Sequence, residues 1–159
     1  MGQSRRLGYR YAVNSTLEIR VFRPADQEAV VALWERCELT RAWHDPRKDI
    51  SRKLTTQPEL FFVGESGGRI VATVMAGYDG HRGWVNYLAV DPTQRNSGHG
   101  RALMRHAEAA LKERGCPKLN LQVRGSNTAV FAFYERIGYG RDDVVSFGKR
   151  LIADTAGGG

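Results

Sequence analysis

Apolar and polar positions along the chain repeat with two different periods. Residues 17–22 alternate β-branched and aromatic side chains with charged ones, the pattern of a half-buried strand. Arg23-Pro24-Ala25-Asp26 then places Pro and Asp where they favour a first helical turn. Val30, Leu33, Trp34 and Cys37 follow at i, i+3, i+4 and i+7, one apolar helical stripe. A second helix opens with Asp45 as N-cap and Pro46 in the first helical position, and Ile50 and Leu54 give it a short stripe.

Residues 60–63 read as a strand, Ser66-Gly67-Gly68 as a hairpin turn and 70–78 as a second strand. A turn at 79–83 leads to a third strand, 84–90, so turn chemistry predicts an antiparallel meander. The loop 93–99 precedes a helix over about 100–114, with Leu103, Ala107, Ala110 and Leu111 inward and Gly115 as its stop. Leu119, Leu121 and Val123 alternate with polar residues, giving another strand. Ser126 or Asn127 caps a further helix with Ala129, Ala132, Phe133 and Ile137 inward, ended by Gly138. The segment 144–151 reads as a last strand. The predicted fold class is α/β: one mixed, mostly antiparallel sheet with helices on both faces, in the order β-α-α-β-β-β-α-β-α-β.

Composition narrows the setting. The 159 residues suit one domain, and 42% apolar with 26% charged residues is globular usage. Three domain-level parts are expected: a basic extension or leader at 1–16, one domain at 17–152, and a flexible tail at 153–159. No apolar run approaches the roughly 20 residues of a membrane span, and no apolar stretch follows Arg5, Arg6 and Arg10 as a secretory signal requires. No membrane partner and a cytoplasmic setting are therefore expected. Only Cys37 and Cys116 are present, so no disulfide scaffold and no metal site are expected. The formal net charge of +7 is compatible with nucleic acid, an anionic surface or a phosphorylated cofactor. Part of it sits in the arm 1–16, and no nucleic-acid partner is expected.

The most informative segment is 88–100, where a strand runs through a Gly-containing loop into a helix N-terminus. Free N–H groups and the helix dipole favour an anion there, and Gly98 and Gly100 allow close backbone approach. The P-loop pattern is absent, because no Gly-Lys-Ser/Thr follows. The dinucleotide fingerprint is also absent: Leu103 stands where a third Gly belongs, and no acid lies at Gln122-Val123-Arg124.

A second motif spans 127–139: Asn127, then Tyr134 seven residues on, then the ending Gly138-Tyr139. Together with Arg95-x-x-Gly98-x-Gly100, one strand and one helix earlier, this resembles the Gcn5-related N-acetyltransferase superfamily over roughly 17–151. Leu33-Trp34-Glu35-Arg36-Cys37, Asp45-Pro46, Gly77-Tyr78-Asp79-Gly80-His81-Arg82-Gly83, Arg114-Gly115-Cys116-Pro117-Lys118 and Gly148-Lys149-Arg150-Leu151 look like the bacterial YpeA-type branch.

The resemblance implies acetyl-CoA as donor and CoA as product. The pyrophosphate would lie on the backbone of Arg95, Asn96, Ser97, Gly98, His99, Gly100 and Arg101. Leu88, Ala89 and Val90 would pair with the pantetheine arm, Asn127 would contact the cofactor, and Tyr134 would sit near its sulfur as general acid. Trp34, Trp43, His44, Tyr78, Asp79, His81 and Arg82 come from segments that would line the acceptor side. The implied activity is acetyl transfer to a primary amine of a small molecule, peptide or protein by direct attack. The alternative is a non-catalytic acyl-CoA sensor or interaction module on the same fold. Relatives often form dimers, and 144–151 is a candidate edge for a homodimer.

Asn96 and Ser97 replace the Gly and basic residue usual in such loops, and Asn tolerates left-handed backbone. His99 is expected to face solvent. The strand before the loop carries Asn86 and Tyr87 where many relatives have Glu, so no base is assigned; Glu35, Asp79 and His81 read as structural or substrate-orienting. Cys37 and Cys116 read as packing residues.

Overall fold

In a computed structural model, which describes residues 16–154, the first alternating segment forms β1 (Glu18–Val21). A 3₁₀ turn at Pro24–Asp26 feeds α1 (Gln27–Arg36). Helix α2 (Pro46–Lys53) starts as its sequence demands: the Asp45 carboxylate accepts from the N–H of Arg47, and Pro46 fills the first turn. The meander follows as β2 (Phe61–Ser66), β3 (Arg69–Tyr78) and β4 (Gly83–Val90), then α3 (His99–Glu113), β5 (Leu119–Leu121) and α4 (Thr128–Arg136).

The sheet order is β1-β2-β3-β4-β5, antiparallel except for the parallel β4–β5 pair. Each face carries its own core. On one, α1 buries Val30, Val31, Leu33 and Trp34 against Phe61, Val63, Met75 and Ala89. On the other, α3 buries Leu103, Met104, Ala107 and Leu111 against Ala72, Val74, Ala76 and Val85. Burial on both faces explains why β3 reads Ile-Val-Ala-Thr-Val-Met-Ala with little polar alternation.

One irregularity positions the site. Met75 pairs with Asn86 but Thr73 pairs with Ala89, so one residue of β3 faces two of β4, a β-bulge at Tyr87-Leu88. Tyr87 adopts φ +51°, uncommon for a bulky residue. The extra residue reverses the side-chain parity of β4: Val85 points to the α3 core, yet Tyr87 and Ala89 point to the α1 core and Leu88 and Val90 to the α3 core. Buried Thr73 holds the bulge by donating to the Tyr87 carbonyl (2.8 Å) while accepting from Trp34 Nε1 (2.9 Å).

Four expectations change. The segment 144–151 is not a strand; it runs without helix or strand, its side chains in solvent. Among the described residues, only side chains tie it and the residues before it to β5 and its flanks: Asp142 accepts from Lys118 and Asn120, and Ser146 from Gln122. The strand expected over 119–123 stops at Leu121, because β4 turns away at its bulge and leaves no partner beyond Val85. On α4 the inward set is Val130, Phe133, Tyr134 and Ile137, with Ala129 and Ala132 exposed, because the Phe133 ring seats over Gly100. Asp154, placed in the expected tail, is 3% exposed and held by Arg52 through two bonds of 2.7 and 2.6 Å. The basic arm falls almost wholly outside the described residues, as do residues 155–159. No helix among the described residues is long and apolar enough to cross a membrane.

Candidate active site

Strands β4 and β5 pair only at Gly83–Leu119, Trp84–Asn120 and Val85–Leu121. Past the bulge they diverge, so the edge of Leu88, Ala89 and Val90 turned away from β3 has no strand beside it. Among the described residues, backbone groups on that edge pair with no other strand, only the Val90 carbonyl accepting from the Cys37 thiol, so they can bind an extended ligand as an added strand would.

At the end of β4, Asp91 anchors the loop. Its carboxylate accepts from the Thr93 N–H (3.0 Å), the Thr93 hydroxyl (2.7 Å) and Arg36 (3.0 Å), which hold it below the usual carboxylate range. Asn96 takes φ +62° and Gly98 φ +84°, so the left-handed conformation falls on an Asn and a Gly. Helix α3 begins at His99, and its first intrahelical bond runs from the Ala102 N–H to the Gly98 carbonyl. The N–H groups of His99, Gly100 and Arg101 are therefore unpaired within the helix and sum with its dipole. Arg95 and Arg101 are exposed at this mouth.

His99 is buried rather than solvent-facing: Nε2 lies 3.0 Å from Gln94 Oε1, a clasp across the loop. The Ser97 hydroxyl donates to the Gln94 carbonyl. These contacts close the loop on itself. The two glycines act differently. Gly98 is needed for its backbone angle, with open space around it, whereas a Cβ at Gly100 would lie 3.2 Å from Phe133 Cζ and 3.6 Å from Val90 Cγ2. Gly100 thus admits α4 against the first turn of α3.

That contact brings Tyr134 to the same end of the cleft. Its ring packs edge-on to Phe133 (5.0 Å) and Tyr139 (5.8 Å), and burial pushes its hydroxyl up to about 12. Asn127 is exposed at the N-cap of α4, and its side chain does not cap the helix.

The opposite face of the cleft belongs to α1 and α2. Tyr87 stacks on Trp34 (3.8 Å, 13°) and donates to Asp49 Oδ2; burial and Asp49 raise its pKa and keep it neutral. Arg52 bonds both Asp49 and Asp154, linking the C-terminal segment to this group. His44 packs edge-on to Tyr87 (6.4 Å), and its buried Nε2 has no hydrogen-bond partner among the described residues. Trp43, 52% exposed, lies beneath the Arg124 guanidinium at 6.0 Å.

The expected acceptor residues are thus divided. Trp43 and His44 stand beside the cleft. Trp34 is wholly buried, supporting Tyr87 from behind. Tyr78, Asp79, His81 and Arg82 form the β3–β4 hairpin tip, at the far end of β4 from the loop; the Asp79 carboxylate accepts from the N–H groups of His81 and Arg82 there. Glu35 is exposed on α1. Cys37 donates to the Val90 carbonyl (3.3 Å) with its thiol pushed up by burial, and Cys116 packs against Gly83. Sequence reasoning missed Asp49, Arg52 and Arg124, and did not assign Tyr87. Only the bulge brings Tyr87 to this face, and no pattern in the chain announces it.

The family model described as Acetyltransferase (GNAT) family matches residues 26–139. An acetyltransferase of Yersinia enterocolitica is 52% identical over 138 residues, covering 87% of this chain and 98% of that protein. The ribosomal-protein-S18-alanine N-acetyltransferase of Escherichia coli, a solved structure, is 28% identical with a TM-score of 0.64, covering 77% of each chain. The structure of AAC(6')-Iy, solved with a bisubstrate analog of CoA, shares the fold with a TM-score of 0.71 at 18% identity, covering 86% of this chain and 100% of that one.

Proposed function

The chain belongs to the acetyltransferase (GNAT) family and is an acyltransferase, and from that premise we propose that it moves an acetyl group from acetyl-CoA to a primary amine in a ternary complex. The observation that supports this reading is the junction of β4 with α3. The strand edge at Leu88–Val90 leads into the N–H groups of His99, Gly100 and Arg101, unpaired within α3, and α4, which carries Tyr134, seats its Phe133 ring against Gly100 there.

In this reading the pyrophosphate rests on the loop and first turn of α3, with Arg95 and Arg101 beside it. The pantetheine arm extends along Leu88, Ala89 and Val90, and Asn127 contacts it. The amine attacks the thioester carbonyl, the C–S bond breaks, and the thiolate leaves toward Tyr134. A backbone N–H at the bulge polarises the carbonyl oxygen. The amine's surplus proton passes to solvent, so no dedicated base is required.

The value of about 12 refines the part played by Tyr134. A thiol ionises near 8.5 in water, so the tyrosine is the weaker acid and complete transfer of its proton to thiolate is uphill. Tyr134 therefore holds the departing thiolate by a hydrogen bond, and solvent completes the protonation. The acceptor, a small molecule or a peptide, enters from the α1–α2 face past Trp43, His44 and Tyr87. The cytoplasm, where acyl-CoA is made and used, is the proposed setting. The test is turnover of acetyl-CoA by the wild type and by Tyr134→Phe across a panel of amines, with binding measured separately.

A further inference from the structure

Residues 142–154 connect the β5 side of the cleft to α2. Asp142 and Ser146 accept from side chains in and beside β5, and Asp154 reaches Arg52 on α2. Among the described residues, no backbone group of 140–154 bonds to another backbone group, and Phe147, Leu151 and Ile152 stand in solvent. Little besides its end therefore holds the stretch 147–154 in place. That end is held well. Asp154 is buried, and its two oxygens accept from the two terminal nitrogens of Arg52, a fork at 2.7 and 2.6 Å.

The place Asp154 fills is basic. Arg52, Lys48 and Arg150 together hold its carboxyl below the usual carboxylate range. Arg52, Lys149, Arg150 and Asp154 are among the residues lining a cavity of about 610 Å³. Lys48, Arg52, Lys149 and Arg150 thus bring four positive charges to a place where Asp154 and Asp49 supply two negative ones. The same place touches the reacting end of β4. Arg52 also donates to Asp49 (3.3 Å), and Asp49 accepts from the hydroxyl of Tyr87, the residue at the bulge.

We propose, resting on the acetyl-transfer reading above, that this pocket is the acceptor's carboxylate subsite, held by Arg52 and filled in the free enzyme by Asp154. The acceptor is then a peptide amine with an acidic side chain, whose carboxylate takes the place of Asp154 on Arg52. The exchange puts one carboxylate on the fork in place of another, so Arg52 loses no hydrogen bond. It releases a stretch that has no backbone bonds to break. Asp49 and Tyr87 stand between Arg52 and the bulge, so amine and carboxylate must lie two side chains apart. A free α-amino acid carries both groups on one carbon and is too short. Each extended peptide residue adds about 3.5 Å, so a short peptide spans the gap.

The probes are the amides of Ala-Glu, Ala-Ala-Glu and Ala-Ala-Ala-Glu with free N-termini, each beside its Gln counterpart. They are titrated calorimetrically into the full chain with CoA present, and assayed separately for acetyl transfer from acetyl-CoA. In the wild type, at least one Glu peptide is expected to bind about tenfold tighter than its Gln counterpart. Asp154→Ala empties the pocket and is expected to tighten that Glu peptide about tenfold further, the gain for a pocket nine-tenths filled by its own carboxylate, with the Gln peptide unchanged. Arg52→Gln is expected to erase the preference, and Arg52→Lys, which keeps the charge without the fork, to retain part of it. Equal binding of Glu and Gln peptides by both the wild type and Asp154→Ala overturns the proposal. So does a Glu preference that Asp154→Ala leaves unchanged, or one that survives Arg52→Gln. Binding needs no turnover, so a Glu preference that responds to both variants without any acetyl transfer supports the pocket and counts against the transfer reading alone.

Discussion

Replacing Tyr134 with Phe removes one oxygen and leaves the ring. The edge-on contacts with Phe133 at 5.0 Å and Tyr139 at 5.8 Å survive, because both are made by the ring. Burial alone raises the Tyr134 hydroxyl, with no neighbouring hydrogen bond contributing. The hydroxyl bonds no other group among the described residues and is not a buried orphan, so its deletion is expected to leave the melting temperature close to wild type. Catalysis is affected differently. A single donor aimed at charge that develops in the transition state is worth about 10²–10³ in rate, or roughly 2.7–4 kcal/mol. The assay is release of the CoA thiol followed with a thiol reagent, beside calorimetric binding of acetyl-CoA. Tyr134→Phe is expected to lower kcat by about that factor with acetyl-CoA affinity unchanged. Tyr139→Phe is the control: that hydroxyl bonds Glu108 at 3.2 Å, away from the cleft, and its loss is expected to leave kcat near wild type. A Tyr134→Phe enzyme turning over within a few-fold of wild type refutes the role given to the hydroxyl.

Other perturbations separate loop, bulge and anchor. Gly98→Ala forces φ near +84° on a residue with a Cβ, at a cost of about 1–2 kcal/mol without a clash, and tilts the N–H groups beyond it. Calorimetry is expected to show acetyl-CoA affinity falling about tenfold while the fold survives. Thr73→Val keeps the volume but leaves Trp34 Nε1 and the Tyr87 carbonyl without their buried partner, a loss of about 2–4 kcal/mol in urea unfolding. Thr73→Ser, which retains the hydroxyl, is expected to lose clearly less. For Asp91, the folded pKa lies below its unfolded value, so its stabilisation is present above the unfolded pKa and is lost as pH falls through the folded one. Asp91→Asn is therefore expected to be less stable than wild type at neutral pH and to show a shallower loss on acidification below about pH 4, read by thermal melts.

The local signals in the chain carried far. Asp45-Pro46 located the start of α2 because a cap and a fixed φ act within one turn, and Asn96 took the left-handed angle that its short side chain tolerates. The loop over 93–98 and the helix after it were legible for the same reason: each depends on backbone geometry within a few residues. What escaped depends on distant partners. Tyr87 reaches the α1 face only through a bulge held by Thr73, fourteen residues earlier. His99 is buried because Gln94 meets it across the loop, and α4 turns its Phe133 side inward because Gly100 leaves room. The period-two pattern of 144–151 is real, but a strand also needs a neighbour, and within one chain β5 ends too soon to supply it.

The central claim is that the β4–β5 cleft and its loop bind acyl-CoA. Calorimetric titration of the full chain with acetyl-CoA and CoA, with dephospho-CoA and NAD as controls, tests it most directly. The account predicts micromolar binding of the two CoA forms and none of NAD, with Gly98→Ala weakening the binding. No heat of CoA binding up to millimolar concentration would contradict it, because the free N–H groups of α3 and the open edge of β4 would then have no ligand.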